Sequence, residues 1–242
     1  MTILIAGATG ATGKFLAKEL LDRGHTVKMV VRSPERLPEA VRSHAHATVV
    51  TGTILDMSDA EVAGLVQGCE AVALCLGHNL TLKGVFGHPR RLVTDTTRRL
   101  CLAITANRPA RPVRFVLMNT VANSNGDLQE KRSVAEEVVF GALRIFLPPH
   151  PDNEQAAEHL RVDIGQNDTA ISWVAVRPDS LTDEPEVTGY DVYPSPIRSG
   201  LFDPGKTSRI NVGNFMSSLI TDDHLWERWR GQMPVIYNKV PV

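Results

Sequence analysis

Three glycines stand close together near the start of the chain, at Gly7, Gly10 and Gly13. They follow a short apolar run, residues 3–6, and precede apolar residues with helical spacing. Glycines at a strand-to-helix turn let the backbone approach a ligand closely, and the first turn of the helix offers unpaired N–H groups and a positive dipole end. This order suits a bound pyrophosphate, although a purely structural turn is the alternative. The predicted contacts are Gly7, Thr9, Gly10, Ala11, Thr12 and Gly13.

Positive charge follows the second predicted strand, residues 27–31. A site for NAD usually places Asp or Glu about twenty residues past the glycines, where the carboxylate holds the ribose hydroxyls. This chain has Arg32, Ser33 and, one helical turn later, Arg36. Because a guanidinium there matches a 2′-phosphate, we predict that NADP(H) binds in preference to NAD(H), with these three residues as contacts. The alternative is that both arginines are solvated surface charges.

Residues just after the other strands are further candidates, because ligands of an open parallel sheet lie at the carboxyl ends of its strands. We predict Thr53 and Ile54 near the adenine, Leu76, Gly77 and His78 near the central riboses, Asn119 and Thr120 near the nicotinamide, and Arg177 and Pro178 beyond them. A solvated loop histidine is the alternative for His78.

The elements that must position these residues alternate between strand and helix patterns, as a parallel sheet with crossover helices requires. Further strands are predicted at residues 48–50, 71–76, 113–118, 171–176 and 234–237, and helices at 58–66, 90–107, 131–147, 152–165 and 214–220. The fold class is therefore α/β, a doubly wound parallel sheet of the Rossmann type in one domain. Residues 1–181 form its core, and the proline-broken tail, 182–242, is expected to cap the substrate side with Tyr190, Tyr193 and Phe202.

Composition is that of an ordinary globular protein, with 43% hydrophobic and 22% charged residues among 242. The net charge of −1 gives no reason to expect nucleic acid or an anionic membrane as partner. A strand beginning at residue 2 or 3 leaves no room for a signal peptide, and the three unclustered cysteines favour a reducing, cytoplasmic location. His44 and His46 lack further ligands nearby, so no metal site is predicted. The oligomeric state leaves no clear signature.

Several motifs together resemble the atypical short-chain dehydrogenase/reductases of the NAD(P)H-binding, NmrA-like group. They are GATGATG, VVRSPER, ALCLG, VRFVLMNT and DNEQAAEHLR running into WVAVRPDSL, and their order is most similar to the flavin reductase and biliverdin-IXβ reductase branch. The resemblance extends to about Leu181. It implies that Arg32 binds the 2′-phosphate with help from Arg36. The family's GlyAsp before the adenine is Gly52–Thr53 here, which leaves one hydrogen bond to the base unaccounted for.

The tyrosine and lysine that ordinary members of this superfamily use as a YxxxK pair are missing. Four positions after Tyr190, Tyr193 and Tyr237 stand Pro194, Ile197 and Pro241. Where the pair would be sought, the chain has His150 and Glu154. In Leu147–Pro151, His150 is expected in a rigid loop, either as a proton donor at the cleft or, more commonly, as a surface histidine.

Thr120 falls where the flavin reductase branch has a serine beside the nicotinamide, and Asn153 replaces a nearby histidine of that branch. We therefore predict Thr120 as a catalytic residue that orients the acceptor by a hydrogen bond. The basic residues Arg90, Arg91, Arg98 and Arg99 are expected on a solvated helix face.

Three functions remain open at this point. The favoured one is an NADPH-dependent reductase that transfers hydride to a flavin or quinone acceptor, which takes its proton from water. The second is a redox sensor that binds NADP(H) without turnover and controls a protein partner. The third is an epimerase or dehydratase of a nucleotide sugar, and it is the weakest because it needs the Tyr/Lys pair.

Overall fold

A computed structural model describes residues 1–78, 87–130 and 132–239. Its strands are β1 (Thr2–Ala6), β2 (Thr26–Val31), β3 (Ala47–Thr51), β4 (Ala71–Leu74), β5 (Val113–Met118), β6 (Ile171–Pro178), β7 (Ser180–Thr182), β8 (Tyr190–Tyr193), β9 (Lys206–Ser208) and β10 (Val235–Asn238). Its helices are α1 (Gly13–Asp22), α2 (Glu39–Arg42), α3 (Asp59–Val66), α4 (Leu92–Ala106), α5 (Val134–Phe146), α6 (Pro149–Glu158), α7 (Arg209–Thr221) and α8 (Asp223–Trp229). A 3-10 turn, Pro34–Arg36, follows β2, and a π-helical turn, His159–Ile164, extends α6.

The main sheet of the described residues has the strand order β3-β2-β1-β4-β5-β6-β10-β8. Neighbouring strands run parallel from β3 to β10, and β8 pairs antiparallel to β10. Strands β7 and β9 form a separate parallel pair. The strand order reverses between β1 and β4, which is the position where doubly wound sheets bind their ligands. The predicted α/β Rossmann-type fold is confirmed.

Helices cover both faces of the sheet because its central strands are apolar on both sides. In β1, Ile3 and Ile5 pack on one face with α1, α7 and α8, whereas Leu4 and Ala6 pack on the other face with α3, α4 and α6. The three cysteines are free and buried in these layers. Two capping boxes start α3 and α5, at Ser58 and Ser133, each with a glutamate three residues on.

Two strands end two residues away from the position that the sequence predicts. Strand β4 stops at Leu74 rather than at residue 76. Strand β6 continues past residue 176 to Pro178, because β10 pairs beside it, with Val235 opposite Arg177 and Ile236 opposite Pro178. Arg177 and Pro178 therefore lie within the sheet and not in the loop beyond it.

The tail after residue 181 is more than the predicted cap over the cleft. It supplies β8 and β10 to the main sheet, and α7 packs closely against α1. A Cβ atom at Gly213 of α7 would lie 2.9 Å from the Cβ of Phe15 and 3.0 Å from the nitrogen of Leu16. The tail thus completes one helical layer of the core. Lys131, where one predicted helix starts, and residues 240–242 of the predicted cap lie outside the described residues.

Candidate functional site

The glycine turn between β1 and α1 packs against the end of β4. Gly7 has φ of +97°, and a Cβ there would lie 2.6 Å from the carbonyl of Cys75. At Gly13 a Cβ would lie 2.2 Å from the Gly7 oxygen, and at Gly10 it would lie 3.0 Å from the same atom. The packing of the turn therefore requires glycine at Gly7 and Gly13 and leaves little room at Gly10.

The same turn presents backbone donors. Helix α1 begins at Gly13 after Thr12, whose side chain makes no capping bond, and its first turn contains no acidic residue. Within the described part of the chain, the N–H groups of Ala11, Thr12 and Gly13 have no hydrogen-bond acceptor. Unpaired donors at the positive end of a helix dipole are the features that bind a phosphate group.

A cleft of about 510 Å³ opens beside this turn, at the point where the strand order reverses. Of the predicted contacts, it is lined by Gly7, Thr9, Arg32, Thr53, Ile54, Leu76 and Gly77. It is also lined by residues that sequence reasoning missed, which are Leu55, Asp56, His88, Pro89, Leu92 and Thr96. Its size is within the range of small-molecule pockets.

Arg32 is exposed at the wall of the cleft, immediately after β2. Within residues 1–78, 87–130 and 132–239, no carboxylate lies within 4 Å of the guanidinium of Arg32 or of Arg36. Ser33 stands between them and precedes the 3-10 turn. An uncompensated cation at this strand end can bind an anionic group of a ligand in the cleft.

Arg99 of α4 holds the loop that follows β3. Its guanidinium donates to the carbonyl oxygens of Ile54 at 2.7 Å, Leu55 at 3.0 Å and Met57 at 2.6 Å. The expected solvated face is therefore wrong for this residue, whose side chain fixes a wall of the cleft. Nothing in the local sequence distinguishes Arg99 from its neighbouring arginines. The sequence therefore contains no feature that predicts its role at the cleft.

Thr53 and Asp56 are joined across the same loop. The hydroxyl of Thr53 donates to Oδ2 of Asp56 at 2.8 Å, and both residues line the cleft. Asp56 is exposed, so a carboxylate stands three residues after the position where the resemblance led us to expect one.

Thr96 of α4 contributes a buried hydroxyl to the cleft wall. The residue is 0% exposed, and its Oγ1 has no hydrogen-bond partner among the described residues. A buried hydroxyl without a partner is costly, so this position is suited to a bond with a bound ligand.

His78 and Asp152 form a buried pair, with 2.7 Å between Nε2 and Oδ2 and side chains that are 4% and 1% exposed. Asp152 also accepts hydrogen bonds from the N–H groups of Val93 at 2.8 Å and Thr94 at 2.9 Å, which start α4. Burial acts to raise the pKa of Asp152, but the bonds from His78, Thr94 and Val93 outweigh it and lower this pKa below its ordinary value. The buried pair excludes the solvated-loop alternative for His78. Its contact with a ribose stays a prediction.

Asn119 and Thr120 follow β5. The Asn119 amide is buried, with Oδ1 accepting from the Thr120 N–H at 2.7 Å and Nδ2 donating to the carbonyl of Asn153 at 3.0 Å. Thr120 is partly exposed, and its Oγ1 accepts a long bond, 3.3 Å, from the N–H of Ala122. The hydroxyl proton of Thr120 can thus be donated to a ligand.

The side chain of Arg177 is not available to a cofactor, whereas the contact predicted for Pro178 stays a prediction. Arg177 is 0% exposed, and its guanidinium binds both carboxylate oxygens of Glu130, at 2.6 and 2.8 Å. It also donates to the carbonyl oxygens of Asn123, Met233 and Pro194. These bonds occupy all five guanidinium donors. Pro178 is buried beside β10 and accepts from the N–H of Val121.

His150 lies in the first turn of α6, not in a loop. Its imidazole is stacked on Phe140, with 5.8 Å between ring centroids, and its side chain is 5% exposed. Nε2 lies 3.6 Å from Oε1 of Glu154. Burial lowers the pKa of His150, although Glu154 acts to raise it. The neutral, buried imidazole is a poor proton donor for a ligand in the cleft.

Of the three aromatic tail residues expected in an apolar wall, Tyr193 packs on the cluster of Val121, Val235 and Tyr237, whereas Tyr190 and Phe202 do not. The Tyr190 hydroxyl donates to Asn214 at 2.8 Å, and its ring meets Phe215 edge-on inside the core. Phe202 is 63% exposed. Instead, residues 195–200 close a second cavity of about 310 Å³ over Val121, next to Thr120. The prediction is wrong for Tyr190 because this side chain packs into the helical layer that the tail completes.

Comparison with known proteins places this geometry in a family. A family model described as NAD(P)H-binding matches residues 7–223. A short-chain dehydrogenase/reductase from Veillonella parvula, solved in complex with NADP, is 18% identical with a TM-score of 0.70, covering 98% of this chain and 94% of that one.

Two further solved structures have the same fold. A candidate NADH-flavin reductase from Streptococcus pneumoniae is 14% identical, with a TM-score of 0.67 and coverage of 99% of this chain and 100% of that one. An anaerobillin reductase from Escherichia coli O157:H7 is 15% identical, with a TM-score of 0.68 and full coverage of both chains, 100% each.

The described residues contain neither a membrane-spanning helix nor a cluster of metal ligands. Every helix in these ranges is too short or too polar to span a bilayer. The same ranges contain no group of three or more His, Cys, Asp or Glu side chains that could hold a metal ion.

Proposed function

Since this chain belongs to the NAD(P)H-binding family, we propose that it is an NADPH-dependent reductase of a small flavin or quinone acceptor. The observation that carries the choice of NADPH is Arg32, an uncompensated guanidinium in the wall of the cleft at the end of β2. A 2′-phosphate brings an anion to the place where a ribose hydroxyl would bring none, and Arg32 can bind it through charge-assisted hydrogen bonds. Arg36 and Ser33 are proposed to assist.

The remaining cleft residues fit the other parts of the dinucleotide. The free N–H groups at the start of α1 would hold the pyrophosphate, and the glycine turn keeps side chains away from it. Thr53 and Ile54 would face the adenine, with Asp56 as an acceptor for its amino group. Leu76 and Gly77 would border the riboses, and Asn119 is proposed to position the Thr120 backbone beside the nicotinamide.

When bound, NADPH supplies one hydride, which carries two electrons and one proton to the acceptor and leaves NADP⁺. The chain's part is to orient the reacting rings and to exclude water. Thr120 would donate a hydrogen bond to the acceptor without titrating. His150 is buried and neutral and therefore a poor general acid, and the chain has no Tyr/Lys pair. The reduced acceptor therefore takes its second proton from water, as flavins and quinones can.

The solved structures of the same fold support this acceptor class, because two of them are described as flavin and anaerobillin reductases. We also propose that residues 1–242 form one domain, with the cofactor cleft and the acceptor side at the same sheet.

The cofactor preference is tested by calorimetric titration of the wild type and Arg32→Ala with NADPH and with NADH. Loss of the 2′-phosphate contact should weaken NADPH by roughly 1.5 to 3 kcal/mol and leave NADH nearly unchanged. Arg42→Ala is the matched control, because Arg42 lies on α2 and pairs with Glu39. Equal weakening of both nucleotides, or no heat with NADPH, would contradict the proposal.

Catalysis is tested by measuring NADPH oxidation with a panel of flavins and quinones. A reductase consumes NADPH above background with at least one of them. A redox sensor, the alternative left open by the missing Tyr/Lys pair, binds NADPH tightly and consumes none.

A further inference from the structure

The second cavity, of about 310 Å³, lies beyond the carboxyl end of β5. Its floor is Val121, the residue after Thr120, and its walls are the inner face of α5 and residues 195–200. The inference drawn from it rests on the proposed function, since it concerns the acceptor of that reaction. Its volume is at the low end for ligand pockets, so it suits part of an acceptor, a planar ring with its polar arm.

The two carboxylates in this cavity are already bound by protein groups. Glu130 pairs with the buried Arg177 and accepts the N–H of Asn125 at 2.8 Å. Glu136 accepts the N–H of Ser133 at 2.9 Å and the hydroxyl of Ser199 at 2.5 Å. Neither carboxylate lies within 4 Å of the guanidinium of Arg132, the cation that shares the cavity with them.

Arg132 is a half-buried guanidinium whose carbon lies 4.2 Å from the centroid of the Phe140 ring. It donates to the carbonyl oxygen of Ala122. No carboxylate among the described residues lies within 4 Å of it, whereas Arg198, the other cation of the cavity, pairs with Asp203 at 3.3 Å. Glu154, Glu130 and Glu136 attract this guanidinium from beyond 4 Å, and an anionic group of a ligand would supply the direct ion pair that Arg132 lacks.

We propose that this cavity binds an acceptor whose planar redox ring carries an anionic group, a phosphate or a carboxylate, and that Arg132 binds that group. The ring lies against the apolar wall of Val121, Pro196 and Ile197, and the stacked Phe140 holds the guanidinium in place. Flavin mononucleotide has such a phosphate, and a linear tetrapyrrole has such carboxylates. The shared chemistry is a ring system with an anionic arm.

Pairs of acceptors that differ only in the anion test this inference. With NADP⁺ at saturation, flavin mononucleotide is compared with riboflavin, and biliverdin with its dimethyl ester, by quenching of fluorescence or by calorimetry. We expect the wild type to bind the anionic member of at least one pair about tenfold more tightly. Arg132→Gln should remove this difference by weakening the anionic ligand alone, and Arg132→Lys should restore part of it.

Arg228→Gln is the matched control, because Arg228 also stacks on an aromatic ring, 5.1 Å from the centroid of Trp229, but lies on α8 outside the cavity. NADPH affinity should be unchanged in all three variants, which shows that the fold and the cofactor cleft are intact.

The outcomes separate this inference from the proposed function. Equal affinity for both members of each pair, or an unchanged preference in Arg132→Gln, overturns the role of Arg132 even where NADPH is oxidised by riboflavin. Absence of NADPH consumption with every acceptor overturns the proposed reductase, whatever the ligand preference of the cavity.

Discussion

Thr96 illustrates what a single residue contributes to the cleft. Its hydroxyl is buried, without a partner among the described residues, and Thr96 lines the cleft that we assign to the cofactor. In the free protein this costs roughly 1 to 3 kcal/mol, the penalty for an unsatisfied buried polar group.

Thr96→Val should therefore stabilise the free protein by about 1 kcal/mol and weaken NADPH binding several-fold, because valine has the same shape without the hydroxyl. Urea denaturation and calorimetric titration measure the two effects. Thr97→Val is the control, since the Thr97 hydroxyl is equally buried and is bonded to the carbonyl of Val93 at 2.8 Å. An unaltered NADPH affinity in Thr96→Val would exclude a contact with the cofactor.

At the scale of elements, the start of α4 depends on a side chain from α6. Asp152 accepts the first free N–H groups of α4, from Val93 and Thr94, and also contacts His78 after β4. One carboxylate of α6 thereby fixes two segments that border the cleft, the residues after β4 and the start of α4. The lowered pKa of Asp152 means that its contribution to stability is present above its ordinary pKa and is lost as the pH falls through the folded value.

Asp152→Asn should lower the free energy of unfolding by about 2 to 3 kcal/mol at neutral pH, because the amide supplies only one acceptor oxygen and no charge. The difference from the wild type should shrink below about pH 4, where this carboxyl group begins to be protonated in the unfolded chain but not yet in the folded one. Urea denaturation at several pH values measures it. Asp163→Asn is the control, since Asp163 pairs with His159 at the same distance, 2.7 Å, but is 55% exposed. A difference that stays constant with pH would contradict this account.

At the scale of the whole molecule, the tail belongs to the core. Helix α7 completes the layer over β1 and β2, and β10 extends the sheet beyond β6. The close approach of α7 to α1 at Gly213 leaves no room for a side chain atom.

Gly213→Ala should therefore destabilise the protein by about 1 to 3 kcal/mol, because the added Cβ forces two packed helices apart. Gly64→Ala is the matched control. Gly64 is an exposed helical glycine of α3, and no atom lies within 4 Å of the position that an added methyl group would take, so alanine should stabilise there by up to about 1 kcal/mol. Thermal unfolding measures both. If the tail were only a cap, Gly213→Ala would change acceptor turnover and leave the unfolding temperature as it is.

The sequence alone determined the features that depend on short stretches of chain. The glycine turn, the strand 113–118 and the position of Arg32 after β2 follow from periodicity and residue type over a few neighbouring positions, and the fold class follows from their alternation. The sequence also shows that Thr53 replaces the aspartate expected before the adenine. Asp56 lines the cleft only because Arg99 holds the loop in which it lies.

The tertiary structure decided which polar groups meet. His78 and Asp152 are 74 residues apart, and Arg177 and Glu130 are 47 apart, so no local pattern distinguishes them from solvated side chains or ligand contacts. Arg177 lies outside the site because β10, from the far end of the chain, pairs beside β6. This pairing extends β6 as far as Pro178. Local preference fixes where a strand or helix forms, but burial and charge pairing depend on which distant segment packs against it.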